Sequence, residues 1–147
     1  MTVSKMTAAD VSLAAALDRR LFSAECWSEE DFYLSLSDPD RIFFVAYEGA
    51  RFLGCGGVQK SFEQGDVLTL GVDPDCRRGG IGSALLTAMI EAFQQEGGQS
   101  LFLEVRASNL PARSLYEKFG FTQIGIRRNY YQQPQEDGLV YCLEVHS

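Results

Sequence analysis

One stretch of the 147-residue chain has residue types and spacing suited to anion chemistry: Arg77-Arg78-Gly79-Gly80-Ile81-Gly82-Ser83. It follows an apolar run, Val67–Val72, and opens a segment where Ile81, Leu85, Ala88, Met89, Ala92 and Phe93 recur at helical spacing. The first N–H groups of a helix lack intrahelical partners, and the helix dipole places partial positive charge there. Glycine lets that backbone come close to a bulky anion. Arginines alongside add forked, permanently charged donors. Together these features make a phosphate-binding turn. The same residues also fit an ordinary glycine-rich connection with a solvated arginine pair, because motifs this short recur by chance.

Three kinds of phosphate cradle compete for this turn. A P-loop requires G-x-x-x-x-G-K-[ST], and Ser83 rather than lysine follows Gly82. A dinucleotide turn requires G-x-G-x-x-G/A, whereas Gly80-Ile81-Gly82-Ser83-Ala84-Leu85 ends in leucine. Glu104 does stand about where that fold puts its ribose-binding acid, but the turn lies halfway along the chain, after three strands of antiparallel character. The third cradle is the R/Q-x-x-G-x-G/A loop that grips the pyrophosphate of coenzyme A. Arg77-Arg78-Gly79-Gly80-Ile81-Gly82 matches it throughout.

The elements that must position this turn are marked by periodicity and punctuation. Residues 2–6 read as a short strand, and Thr7-Ala8-Ala9-Asp10 opens a helix with Leu13, Leu17 and Leu21 on one face. Ser28, with Asp31 three residues on, caps a helix running to about Leu36, which Asp38-Pro39-Asp40 breaks. Ile42–Tyr47, Arg51–Lys60 and Val67–Val72 are strands, with turns at Glu48-Gly49-Ala50 and Gly65-Asp66. Gly97-Gly98 ends the helix that Ile81 begins. Leu101, Leu103 and Val105 alternate with Phe102, Glu104 and Arg106 as a strand. Pro111 sits in the first turn of a helix with the apolar face Ala112, Leu115, Tyr116 and Phe119, ended by Gly120. Phe121–Arg127 and Leu139–Val145 are strands joined by the polar segment Tyr130–Gly138. No linker, repeat or low-complexity tract interrupts residues 1–147, which read as a single domain.

Composition narrows the class. With 46% hydrophobic and 22% charged residues, the chain can bury a core and is not expected to be disordered. A net charge of −7 argues against nucleic acid, whose phosphates demand clustered lysine and arginine. It favours solubility and is compatible with a cationic substrate. Cys26, Cys55, Cys76 and Cys142 show no C-x-x-C spacing and the one histidine is His146, so neither a metal site nor a Cys–His nucleophile pair is expected. The N-terminus lacks a signal-peptide pattern, and no apolar run approaches the ~20 residues of a membrane helix. The expectation is a cytoplasmic protein with reduced cysteines and no membrane partner.

These segments resemble the GNAT N-acetyltransferases, and within them the branch of ribosomal-protein alanine N-acetyltransferases. The resemblance rests on Val72-Asp73-Pro74-Asp75, the Arg77–Gly82 loop, the segments Leu103–Asn109 and Leu115–Phe121, and Ile126-Arg127-Arg128-Asn129-Tyr130-Tyr131. They fall in that order, and Trp27-Ser28 matches as well. The Arg77–Gly82 loop points to the family, whereas Leu103–Asn109 and Arg127–Tyr131 point to the branch. The implied fold is α/β (α+β): a mixed, mostly antiparallel twisted sheet of about seven strands flanked by about four helices.

The resemblance also implies roles. Acetyl-CoA would be held by the backbone of Leu70, Gly71 and Val72, by Arg77 and the amides of Arg78, Gly79, Gly80, Ile81, Gly82 and Ser83, and by Asn109 and Tyr116. Asn109 and Tyr116 lie seven apart, two turns along one helix face, although Asn109 also suits a helix cap and Tyr116 a core position. Glu104 would be the general base and Tyr116 the general acid for the departing thiolate. An attacking amine must be neutral, and with a pKa near about 8 for an α-amino group or about 10.4 for lysine, a carboxylate base helps. Pairing of Glu104 with Arg106 or another cation on that sheet face is the alternative. A backbone N–H near Leu70–Val72 would meet the developing oxyanion. Transfer runs directly from thioester to amine, so no cysteine nucleophile or metal is required. The implied acceptor is a basic protein or peptide N-terminus, the terminal alanine of a small-subunit ribosomal protein, bordered by Trp27, Arg128, Tyr130 and Tyr131. Glu25-Cys26 and Cys76 depart from the branch, which tends to have an apolar residue with proline and an aromatic there; both bear on peptide selectivity. A GNAT enzyme for small amines or lysine side chains would share the loop without needing the Leu103–Asn109 and Arg127–Tyr131 segments. A coenzyme A-binding sensor or interaction module would be expected to lose Glu104 or Tyr116.

Overall fold

The computed structural model of the chain describes residues 1–77 and 79–145; Arg78 of the glycine-rich turn and His146 lie outside the described residues. The strands are β1 (Thr2–Lys5), β2 (Arg41–Glu48), β3 (Arg51–Ser61), β4 (Gln64–Val72), β5 (Ser100–Arg106), β6 (Thr122–Gln132) and β7 (Gln135–Glu144). They form one sheet in the order β1-β2-β3-β4-β5-β7-β6, antiparallel throughout except between β4 and β5. The helices are α1 (Val11–Phe22), α2 (Glu29–Ser35), α3 (Ile81–Gln95) and α4 (Leu110–Lys118). This is the mixed α+β architecture expected from the sequence.

Strands buried on both faces give two cores. On β2, Ile42 and Phe44 pack into one and Phe43 and Val45 into the other, following the two-residue period of a strand. The larger core joins Leu85, Leu86, Met89 and Phe93 of α3 and Tyr116 of α4 to Leu101, Leu103 and Val105 of β5. The smaller one joins Val11, Ala14 and Ala15 of α1 and Phe32 of α2 to Phe43, Val45 and Cys55. Because Leu101, Leu103 and Val105 belong to the larger core, Glu104 and Arg106 point to the opposite face of the sheet.

Three expectations are corrected. Leu13 is 45% exposed; α1 instead buries Val11, Ala14, Ala15, Leu17 and Asp18, with small alanines allowing close approach to the sheet. The β3–β4 turn lies at Phe62-Glu63, not Gly65-Asp66. Gly65 pairs with Lys60 inside the ladder, and a Cβ there would stand 2.5 Å from the Phe93 ring, so this glycine serves close packing and not a turn. The polar segment 130–138 is mostly strand: β6 and β7 run on as a solvent-facing hairpin, whose exposure hid it from a reading based on hydrophobic alternation.

The feature that shapes the site is a gap in the sheet. β4 and β5 pair only over Gln64–Asp66 and Ser100–Phe102. Immediately beyond, Val58 faces Val67 but Gly57 faces Thr69, which leaves Leu68 as an extra residue on β4. Such a bulge bends and twists its strand. Past it, β4 has no ladder partner on its β5 side, so main-chain donors and acceptors there face open space.

Candidate active site

Two joined cavities occupy the gap. One, of about 410 Å³, is bounded by the end of α1, the bulged stretch of β4, β5 and the β6–β7 turn, and includes Thr69, Glu104, Arg106, Tyr131 and Glu136. The other, of about 260 Å³, lies against the start of α3 and includes Gly71, Val72, Arg77, Gly80, Gly82 and Ser83. They share Leu21, Phe22, Leu70, Asn109, Ala112 and Tyr116.

The second cavity has the features of an anion cradle. Gly80 caps α3 with φ 73°, a left-handed conformation suited to glycine, and no side chain caps the helix. Its first N–H groups are therefore available to a ligand. A Cβ on Gly80 would meet nothing within 4 Å, so the space in front of the turn is open. Of the residues expected to hold the cofactor, Leu70, Gly71, Val72, Arg77, Gly80, Gly82, Ser83, Asn109 and Tyr116 line this cavity. Ile81 turns its side chain into the larger core, leaving only its backbone for a ligand. Gly79 lies in the turn but does not line the cavity, and Arg78 is outside the described residues. Asn109 both caps α4, accepting the Ala112 N–H at 3.3 Å, and borders both cavities.

Tyr116 stands where the cavities meet. Its ring packs in the larger core, edge-on to Phe121 at 5.5 Å between centroids. Among the described residues no buried side-chain oxygen or nitrogen lacks a partner, and the Tyr116 hydroxyl makes no hydrogen bond to protein; it therefore opens to the cavity. Burial, and secondarily Tyr131, pushes its phenol well above the usual range, so it remains a proton donor.

Glu104 lies in the wall of the first cavity with its side chain 27% exposed. Its ion-pair partner is Arg127, at 2.7 Å, and not Arg106. Glu104 also acts on the nearby Tyr130 phenol and, with burial second, holds it above its usual range. Both partners come from the irregular stretch of β6 between Arg127 and Tyr131, where Asn129 adopts φ 53°. Asp66, next along the sheet, is held above the usual carboxylate range by burial first and by the charge of Glu104 second.

Of the residues expected around the acceptor, Tyr131 alone lines the first cavity. Its phenol is pushed up to about 12, first by burial and then by Glu104. Tyr130 reaches the site only through Glu104. Arg128 is exposed and lies 3.7 Å from Asp137. Trp27 lines neither cavity: its ring packs on Phe32 and Phe43 at 5.6 and 5.4 Å, with Arg41 over its face, and its backbone N–H donates to the Asp18 carboxylate at 2.6 Å. Trp27 is partly buried and packs against the smaller core.

Several wall residues were missed from the sequence. Arg106, read only as a partner for Glu104, instead contacts Glu25 and, at 3.0 Å, Glu136. In the sequence Glu25 stands out only as a departure from the related branch, and Glu136 lies in the polar segment Tyr130–Gly138. Buried Asp18, raised above the usual range chiefly by desolvation, accepts from Thr69 at 2.7 Å and ties α1 to the bulge of β4. No group of three or more metal-binding side chains occurs among the described residues.

A cavity wall with a carboxylate, a joined cavity under an uncapped helix start, and a buried phenol between them are groups that acyl transfer can use, set in a split sheet. The chain belongs to the GNAT acetyltransferase family, whose sequence model, described as the acetyltransferase (GNAT) family, matches residues 12–121. It is an N-acetyltransferase, and members of this family take their acetyl group from acetyl-CoA. The chain is 32% identical over 146 residues to the [ribosomal protein bS18]-alanine N-acetyltransferase of Escherichia coli K12, covering 98% of this chain and 97% of that one. It is 33% identical over 138 residues to the N-alpha-acetyltransferase RimI of Mycobacterium tuberculosis, covering 90% and 85% respectively. The crystal structure of the ribosomal-protein-S18-alanine N-acetyltransferase from Escherichia coli superposes with a TM-score of 0.88 at 31% identity, covering 99% of this chain and 94% of that chain.

Proposed function

We propose that this protein acetylates the α-amino group of a protein N-terminus, the terminal alanine of a small-subunit ribosomal protein, and that it acts in the cytoplasm. The observation that carries the reaction is the shared wall: Glu104 and Tyr116 border one cavity, and Tyr116 also borders the cavity under α3. The relatives named above support the acceptor.

The cradle fits acetyl-CoA. Arg77, the open turn at Gly79-Gly80 and the uncapped amides of Ile81, Gly82 and Ser83 suit its pyrophosphate, and the unpaired edge of β4 from Leu70 to Val72 suits the amide-rich arm. When bound, it supplies the activated acetyl thioester. Glu104 takes the proton of the incoming ammonium, directly or through a water, so that the amine attacks neutral. A main-chain N–H near Leu70–Val72 meets the charge that develops on the carbonyl oxygen. The Tyr116 hydroxyl, protonated at any physiological pH and opening to the junction, gives its proton to the leaving sulfur, and the proton shed by the newly acylated nitrogen restores the phenol through water. Tyr131 and the β6–β7 turn border the entrance, and the net charge of −7 favours a basic tail.

The test is release of free coenzyme A thiol from acetyl-CoA with a synthetic peptide that starts with alanine and continues with basic residues. The control is the same peptide with a blocked N-terminus and an internal lysine. Turnover with the free N-terminus alone is expected. Binding of acetyl-CoA by calorimetry without turnover of either peptide would move the acceptor to a small amine.

A further inference from the structure

We propose that Arg106 is a specificity-determining positioning residue: it clasps Glu25 to Glu136 across the rim of the acceptor cavity and so fixes the width of the entrance. This rests on the peptide N-acetylation reading above. The guanidinium contacts Glu25 at the end of the α1 segment, 81 residues away, and donates to Glu136 at 3.0 Å and to the Pro134 carbonyl at 2.8 Å. Its central carbon, Cζ, lies over the Tyr131 ring, 4.4 Å from the centroid. All five residues line the larger cavity. One side chain of β5 therefore joins the α1–α2 connection to the β6–β7 turn.

Two further contacts separate the clasp from general scaffolding. Glu136 also accepts from the Ser108 N–H at 3.2 Å and its hydroxyl at 3.0 Å, so the turn side of the clasp is anchored independently of Arg106. The α1–α2 connection is held from below by the Trp27 N–H on Asp18 and by the Trp27 ring on Phe32 and Phe43. Arg106 is the one ion-pair partner of Glu25 among the described residues. Loss of the guanidinium would free the rim at Glu25 while leaving both sides folded. Burial works against the Arg106 charge, but Glu136 and Glu25 hold it above its usual range, so the clasp stays charged wherever the enzyme works. A rim fixed in this way admits one extended chain end and resists wider acceptors, because binding energy goes to the acceptor that needs no rearrangement.

The experiment compares wild type, Arg106→Gln, Arg106→Lys and Glu25→Gln on the free-alanine peptide and the blocked, lysine-containing peptide. It also follows amide hydrogen exchange over residues 22–26. Arg106→Gln and Glu25→Gln are expected to raise KM for the free-N-terminus peptide about tenfold with kcat within about twofold, as for loss of one charge-assisted contact. The ratio of blocked-peptide to free-peptide rate should rise, exchange over 22–26 should quicken, and coenzyme A affinity should hold. Arg106→Lys, a charge without the fork, should recover part of the KM. Unchanged KM, selectivity and exchange in Glu25→Gln would overturn the clasp. A parallel fall of kcat, coenzyme A affinity and melting temperature in all three variants would overturn it too, by showing a scaffolding role. If wild type turns over neither peptide, the acceptor reading fails, and faster exchange in Arg106→Gln and Glu25→Gln, or its absence, still decides the clasp.

Discussion

In the proposed reaction Glu104 and Tyr116 would divide the proton work between them, and their surroundings differ accordingly. Glu104 is partly exposed and held by Arg127 and Tyr130; Tyr116 is buried against Phe121. Glu104→Gln removes the proton acceptor and is expected to lower kcat about a hundredfold. Tyr116→Phe removes the donor and should also lower kcat, with coenzyme A binding by calorimetry unchanged in both variants. Full turnover of either variant would remove its assigned role. Both roles are expected from the family resemblance, and local pattern agrees with it: Glu104 lies in an alternating strand and Tyr116 seven residues beyond Asn109. The partners were not. Arg127 and Tyr130 reach Glu104 only because β6 is irregular there, and Glu25 meets Arg106 only through the fold. Long-range pairs of this kind leave no local signal.

At the scale of elements, capping and turn residues carry testable weight. Ser28 accepts the Asp31 N–H at 3.1 Å while Asp31 accepts the Ser28 N–H at 3.0 Å, a reciprocal capping box at the start of α2. Ser28→Ala should lower unfolding free energy by about 1 kcal/mol in urea denaturation without changing kcat, since α2 lines neither cavity. Gly80→Ala places a Cβ at φ 73°, which costs ~1 kcal/mol, and distorts the cradle. Its coenzyme A dissociation constant should rise while a glycine-to-alanine change at Gly49, remote from the cavities, leaves it unchanged. The helices and the central strands could be read from periodicity, and the turn before α3 from its glycines. The bulge at Leu68 could not, because an extra residue in an apolar strand looks like any other apolar residue. The β6–β7 hairpin was obscured for the opposite reason: its exposed stretch has no apolar face to alternate.

For the molecule as a whole, buried phenols set the alkaline limit. Tyr47 and Tyr131 are pushed up to about 12, each mainly by burial, with Asp10 second for Tyr47 and Glu104 second for Tyr131. Tyr116 is driven further in the same direction. The unfolded chain releases these protons near pH ~10 while the native state keeps them, so the native state binds more protons above that point. Stability should be undiminished by these groups below about pH 9 and fall as pH rises from ~10 towards ~12, read as melting temperature by circular dichroism. The split between β4 and β5 has a kinetic corollary. Two adjoining cavities that share only part of their lining would let donor and acceptor be resident at once, with neither obliged to leave before the other enters. No covalent relay through the enzyme is then needed, so initial rates plotted as double reciprocals should converge to a common point, the mark of a ternary complex, and not run parallel.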